Sequence, residues 1–381
     1  MVATFSFMTA TEIRFGRGAA AEAADRIATL GARVLLVHGA NAARSDWLAD
    51  RLVGAGCLIA RLAVPREPDV DMVQAGIDAA RAHGAEAVVA LGGGAAIDAG
   101  KAIAALSPGA RPMLDHLEVV GRGLPLEADP LPFVAIPTTS GTGAEVTRNA
   151  VIAVPENARK VSLRDPRMLP RLALIDPELT DDCPDSVTLA SGLDAVTQVI
   201  EPYLCTRSNP MTDALCRAAI PRGLQALARL MLSEDKDARD AMAWVSLSGG
   251  LALANAGLGV VHGLAGPLGG LSGAPHGAIC GALLPHALIT NARHVTDAST
   301  RQRIAEIRVW IAETLGGDPE VAFDTLARWS REAGLPGLDS LGIDDSHRAA
   351  AATSAAASSS MKANPVPLDP CALAEMMESA R

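Results

Sequence analysis

Short, continuous apolar runs alternate with amphipathic stretches through the first part of the chain. Residues 34–38, 57–64, 87–90 and 133–137 are β-branched and apolar and end in glycine, proline or polar residues, the pattern of buried strands. Residues 4–14 alternate loosely and predict one or two further short strands. Between these runs, residues 19–30, 45–55, 70–83 and 95–106 carry apolar positions at helical spacing. Alternation of this kind predicts a parallel sheet with helices on its faces. The texture changes after Asp182. Helical patterns then cover 186–203, 211–232 and 238–257 and continue to the C-terminus, with an Ala/Ser-rich helix and cap at 349–360 and a last helix at 370–380. The expected architecture is an α/β domain over 1–182 and an all-α domain over 183–381.

Composition narrows the setting. A chain of 381 residues suggests two domains. It is 49% hydrophobic but only 3% aromatic, so its cores must be built from Ala, Val, Leu and Ile. The formal net charge is -10 without a basic run, which argues against nucleic acid or an anionic membrane as partner. The six cysteines are scattered and form no CxxC pair, as expected of free thiols in a reducing compartment. No secretory leader pattern opens the chain, and apolar runs such as 251–261 are too short to span a bilayer. A cytoplasmic protein is expected.

Three stretches could carry chemistry. In Leu91-Gly92-Gly93-Gly94-Ala95-Ala96-Ile97-Asp98, a strand runs through three glycines into a helix. That geometry leaves backbone N–H groups free to bind a pyrophosphate, although the pattern is neither GxGxxG nor a P-loop. Pro137-Thr138-Thr139-Ser140-Gly141-Thr142-Gly143 concentrates hydroxyls behind a strand, where open α/β sheets bind ligands. Asp194 and Gln198 lie four apart in an apolar helical run, on one helix face, and a buried Asp there needs a cation or donor. His262 and His276 stand among small residues in Val261-His262-Gly263 and Pro275-His276-Gly277. Asp194, His262 and His276 together make an N/O ligand set suited to Zn2+ or Fe2+ with a position open to a substrate oxygen. Such a metal polarises a carbonyl or alkoxide, which puts His262 and His276 at the reacting centre.

These motifs resemble the iron-containing (group III) alcohol dehydrogenase family, which shares its fold with dehydroquinate synthase. Gly92 to Asp98 is similar to its GGGSxxD loop, 137–147 to its PTTxGTGSEVT stretch, and 176–180 to its DPxLT turn. Ser191-Gly192-Leu193-Asp194-Ala195 is similar to its metal-aspartate helix, and 262–277 to its His-rich signature. The resemblance implies a Rossmann-like N-terminal domain, a helical C-terminal domain, and hydride transfer between a nicotinamide cofactor and a small alcohol or carbonyl compound. It places Gly93, Gly94, Ala95 and Asp98 at the pyrophosphate and Thr138, Thr139, Thr142, Asn149, Lys160 and Leu179 along the cofactor. It places Asp194, His262 and His276 on the metal, with Gln198 at the fourth ligand position, where the family usually has His. The family also often has His at the position of Gly266, linked to proton handling, and Ser at the position of Ala95. The end of the second strand, at Gly39 and Asn41 with Arg44 and Ser45 following, lacks the Asp that favours NAD, which tilts the expectation to NADP. A homodimer or larger homo-oligomer is implied. Gln198 and Gly266 also keep open a metal-independent reductase of the maleylacetate type and a catalytically inactive nucleotide-binding protein. A lyase like dehydroquinate synthase fits the 137–147 stretch less well.

Overall fold

The computed structural model describes residues 4–355, 358 and 360–381. The chain forms two compact units. One comprises Thr9–Thr139 and Gly143–Thr180; the other comprises the stretch ending at Met8, Ser140–Thr142 and everything from Asp181 on.

The first unit begins with β1 (Ile13–Phe15), α1 (Ala23–Ala28), β2 (Arg33–His38), α2 (Asp46–Gly54), β3 (Leu58–Ala63) and α3 (Val70–His83). It continues through β4 (Ala87–Gly92), α4 (Gly94–Leu106), β5 (Phe133–Pro137), β6 (Asn149–Val154), β7 (Arg159–Arg164) and β8 (Leu172–Ile175). Six strands make a parallel sheet in the order β1-β8-β5-β4-β2-β3. The period of two decides which helix each residue meets. Leu35, Val37, Val88 and Ala90 pack with Val73 and Ile77 of α3 and Ile103 of α4. Val34, Leu36, Val89 and Leu91 face Ile27 of α1 and Leu48 and Leu52 of α2. A sheet buried on both faces explains why these strands read as unbroken apolar runs.

β2 has β3 on one side and β4 on the other, so the connections leaving β2 and β4 run in opposite directions. The crevice that opens at such a reversal is where sheets of this type take ligands. Gly39 and Gly92 close it. A Cβ on Gly92 would lie 2.7 Å from the Ala96 Cβ, so a side chain would push against the first turn of α4, while the Gly39 nitrogen at 3.4 Å would be in ordinary contact.

Some expectations need correction. Of residues 4–14 only the end forms a strand. Residues 19–30 split into a 3-10 turn, Ala19–Glu22, and the short α1. The antiparallel β6–β7 hairpin and β8 were not anticipated. The hairpin depends on distant partners: the Asp98 carboxylate on α4 accepts the Val151 N–H at 3.1 Å, and the Lys101 ammonium donates to the Ala144 and Asn149 carbonyls at 2.7 and 2.9 Å. Of the helix and cap expected at 349–360, the first part lies in a helix over Asp345–Ala355, and part of the rest lies outside the described residues.

The second unit is helical: α5 (Asp185–Leu204), α6 (Pro210–Leu230), α7 (Lys236–Asn255), α8 (Val260–Ser272) and α9 (His276–His294). Then follow α10 (Ala298–Leu315), α11 (Ala322–Glu332), α12 (Asp345–Ala355) and α13 (Pro370–Ser379). Side chains of Asn209, Asp235, Asp297 and Asp369 cap α6, α7, α10 and α13 by accepting first-turn N–H groups. Asn255, at the end of α7, clamps Met8 through two hydrogen bonds of 2.6 and 2.8 Å, which brings the N-terminal stretch into this unit. Among the described residues no single helix is long and apolar enough to cross a membrane.

Small residues let α9 lie against α5. A Cβ on Gly277 would come 2.5 Å from the Ala190 carbonyl oxygen, and one on Gly281 would come 2.8 Å from Leu193 Cδ1. Gly277→Ala should therefore force backbone apart and lower stability by about 1–3 kcal/mol. Gly266 in α8 has open space at its Cβ position, so Gly266→Ala should be neutral or stabilising by about 0.5–1 kcal/mol. Thermal midpoints of the two variants check this pair, and a Gly277→Ala protein as stable as the parent would contradict it.

Candidate active site

The second unit gathers four chemically active side chains around the start of α9. Asp194 comes from the middle of α5, His262 from the first turn of α8, and His276 and Cys280 from the first turns of α9. One ligand atom from each lies within 4.8 Å of all the others. The His262 Nε2 is 3.3 Å and the His276 Nε2 3.9 Å from Asp194 Oδ1. Cys280 Sγ is 3.9 Å from His262 Nε2 and 3.6 Å from His276 Nε2.

Glu201 orients this group. It lies on α5 seven residues after Asp194, and its carboxylate accepts the Val261 N–H at 2.6 Å and stands 2.7 Å from His262 Nδ1. A carboxylate on Nδ1 selects the tautomer that carries the proton there and turns the Nε2 lone pair to the opposite side. That lone pair faces Asp194 Oδ1, which is buried and has no hydrogen-bond partner among the described residues. Two acceptors facing each other in a dry interior need a proton or a metal ion between them.

The electrostatics agree. Burial alone would drive both imidazoles toward the neutral form. Cys280 and Asp194, joined by Glu201 at His262, outweigh it, holding His276 up at about 9 and His262 well above its ordinary value. Burial would raise Asp194, but the two imidazoles hold it below the ordinary carboxylate value. The two imidazole shifts show that the cluster favours added positive charge, a proton or a metal ion. Bond lengths of about 2.0–2.1 Å to N or O and 2.3 Å to S in a tetrahedral Zn2+ site imply donor–donor separations of about 3.3–3.6 Å. The observed 3.3, 3.6, 3.9 and 3.9 Å come close. The residues fit a divalent metal.

Gln198 shares the α5 face with Asp194 and is buried, but its side-chain nitrogen donates to the Gly141 carbonyl at 2.7 Å. Ser140–Thr142 thus fold with the helices, and Thr142 belongs there and not with Thr138 and Thr139. Gly266 is one turn beyond His262 on α8.

In the first unit, Gly93 is the N-cap of α4, and among the described residues no side chain caps it, so the N–H groups of Gly94 and Ala95 start the helix uncapped. Thr138 donates its N–H to the Gly92 carbonyl at 2.9 Å, and the Thr139 hydroxyl would touch a Cβ on Gly93 at 3.3 Å. Gly39, Gly93, Gly94, Ala95, Thr138 and Thr139 therefore gather at the ends of β2, β4 and β5. Leu179 lies in the turn after β8 and packs on the α1–α2 side of the sheet. Asn149 opens β6, where its carbonyl receives Lys101, whereas Lys160 pairs across the hairpin with Ala153 and contacts Glu67. The Asn41 side chain accepts the Ala43 N–H and caps its own turn.

Two family models match the chain: iron-containing alcohol dehydrogenase over residues 10–177, and the C-terminal region of the Fe-containing alcohol dehydrogenase family over 188–380. The chain belongs to the iron-containing alcohol dehydrogenase family. It is similar to alcohol dehydrogenase 4 of Schizosaccharomyces pombe, 33% identical over 87% of this chain and 78% of that protein. It is also similar to the NAD-dependent methanol dehydrogenase of Bacillus methanolicus, 32% identical over 87% of each, and to lactaldehyde reductase of Escherichia coli, 36% identical over 73% of each. The structure of a 1,3-propanediol oxidoreductase superposes with a TM-score of 0.90 at 28% identity over 100% of both chains. This chain is accordingly an NAD(P)-linked oxidoreductase acting on CH–OH donors, with the two-domain fold of its family.

Sequence reasoning did not single out Glu201, Cys280 or Lys101. Each had a spacing signal: Glu201 is two helical turns from Asp194, Cys280 one turn from His276, and Lys101 three residues from Asp98 in an apolar helix. Removing the carboxylate behind a metal-binding imidazole typically weakens binding 10–100-fold. Glu201→Gln should lower Zn2+ affinity by about that factor while circular dichroism shows an intact helical fold. Unchanged affinity would mean that Glu201 serves only α8.

Proposed function

We propose that this enzyme interconverts a short alcohol and its aldehyde or ketone with NADP, using Fe2+ or Zn2+ held by Asp194, His262 and His276. The reading rests above all on Asp194 Oδ1 and His262 Nε2 facing each other at 3.3 Å while Glu201 holds Nδ1. A divalent metal there supplies Lewis acidity to the substrate oxygen as negative charge builds on it. Asp194 and the two histidines would hold the metal ion in a buried setting, and Glu201 keeps His262 aimed. Gly266, one turn beyond His262 on α8, offers no proton-carrying side chain. The relatives' names point to small alcohols and aldehydes as substrates.

The cofactor pyrophosphate is assigned to the uncapped start of α4 at Gly93, Gly94 and Ala95, with Thr138 and Thr139 beside it. Asp98 and Lys101 act from behind, tying the hairpin of Asn149 and Lys160 to α4, and Leu179 completes the assignment. Two observations support NADP. β2 ends in Gly39 without a carboxylate, and Arg44 is exposed in the turn that Asn41 caps. Arg61 of β3 braces this turn, donating to the Ala42 carbonyl at 2.7 Å and to the Ser45 hydroxyl while pairing with the Asp46 carboxylate at 2.7 Å. We place the enzyme in the cytoplasm as a homodimer or larger homo-oligomer.

The commitment of the Gln198 amide to Gly141 favours one rival, metal-independent reduction of a maleylacetate-type oxo-acid. Elemental analysis with a chelation assay separates the two. Protein purified anaerobically should hold close to one Fe or Zn per chain, and Asp194→Ala should abolish both metal and carbonyl reduction. Activity that survives complete metal removal would overturn the metal-dependent reading.

The cofactor assignment has its own test. NADPH should bind more tightly than NADH in a fluorescence titration, and Arg44→Ala should weaken NADPH while leaving NADH unchanged. Equal loss for both would count against a 2′-phosphate contact at Arg44.

A further inference from the structure

We propose that Cys280, and not Gln198, is the fourth protein ligand of the metal, as a thiolate. This rests on the metal-dependent reading above and assigns a donor to its incomplete ligand set.

Cys280 is fully buried one turn after His276 on α9, so both side chains project from one face. Its sulfur approaches both imidazole nitrogens, at 3.6 and 3.9 Å, and shares with them the space beside the unpartnered Asp194 Oδ1. Asp194 is itself only 2% exposed, so this oxygen has no recourse to bulk water. All four donor atoms lie within 4.8 Å of one another, within reach of a single metal ion.

The nitrogen end of the Gln198 amide is held elsewhere. Its amide nitrogen is bound to the Gly141 carbonyl, and its Cβ lies 3.0 Å from where a Cβ on Gly249 of α7 would stand. Turning the amide to present its oxygen from the nitrogen's place would set that oxygen against the Gly141 carbonyl. It would also leave the carbonyl without its donor, at about 1–3 kcal/mol for a buried group.

The exchange has a chemical consequence. An imidazole replaced by a thiolate makes the set softer and shifts preference from Fe2+ toward Zn2+. Binding proceeds as M2+ plus the Cys280 thiol giving the M–S bond and one proton released to solvent, with no change of oxidation state.

Cobalt substitution tests this on the full chain. Metal-free protein loaded with one Co2+ should show an intense near-ultraviolet thiolate-to-cobalt charge-transfer band. Cys280→Ser should lose the band and weaken Zn2+ binding by at least about 100-fold, more than loss of an outer partner would. Gln198→Leu should keep the band. X-ray absorption on the Zn2+-loaded parent needs no variant and should find one sulfur neighbour at about 2.3 Å. Bound metal with only N/O neighbours and no charge-transfer band would overturn the Cys280 assignment while leaving the metal-dependent reading intact. Failure to take up Co2+ or Zn2+ at all would overturn both.

Discussion

The buried Glu201 carboxylate holds the helical unit's chemistry together. α8 begins without a capping side chain of its own; the Val261 N–H goes to Glu201 and the Val260 N–H to Asn364. The same carboxylate sits on His262 Nδ1. One charged group thus satisfies a helix start and sets an imidazole tautomer, both at the point where α8 meets α5. A neutral substitute could do the first task in part. Only an anion does the second well, because it stabilises the imidazole proton that must stay on Nδ1.

Much of the first unit was legible because its strands are buried on both faces. Residues 70–83 and 133–137 match α3 and β5 to the residue. The glycine run after β4 announced a helix start with free N–H groups, and α4 begins there. The β6–β7 hairpin was hidden for a physical reason. Its residues carry a mixed pattern, and what anchors them is the Lys101 ammonium and Asp98 carboxylate of a helix nearly fifty positions earlier, contacts with no local signature.

The candidate site was legible in its residue types and partly hidden in its connections. Asp194, His262 and His276 come together from α5, α8 and α9. Their convergence depends on glycines whose role shows only when the helices are packed, as Gly277 shows against the Ala190 carbonyl. Gln198 shares a helix face with Asp194, and spacing alone could not foretell that a backbone carbonyl from residue 141 would occupy its amide.

The membership of Ser140–Thr142 changes how the protein can be taken apart. The chain leaves the α/β unit after Thr139, contributes three residues to the helical unit, and returns at Gly143. Cutting at Asp181 would therefore not yield two self-sufficient pieces. The C-terminal fragment would lose Gly141, the carbonyl that receives Gln198, along with Met8, the partner of Asn255. During synthesis the N-terminal unit emerges first, but these borrowed segments stay unsatisfied until α5 and α7 have been made. Completion of the helical unit is thus bound to parts of the chain translated long before it.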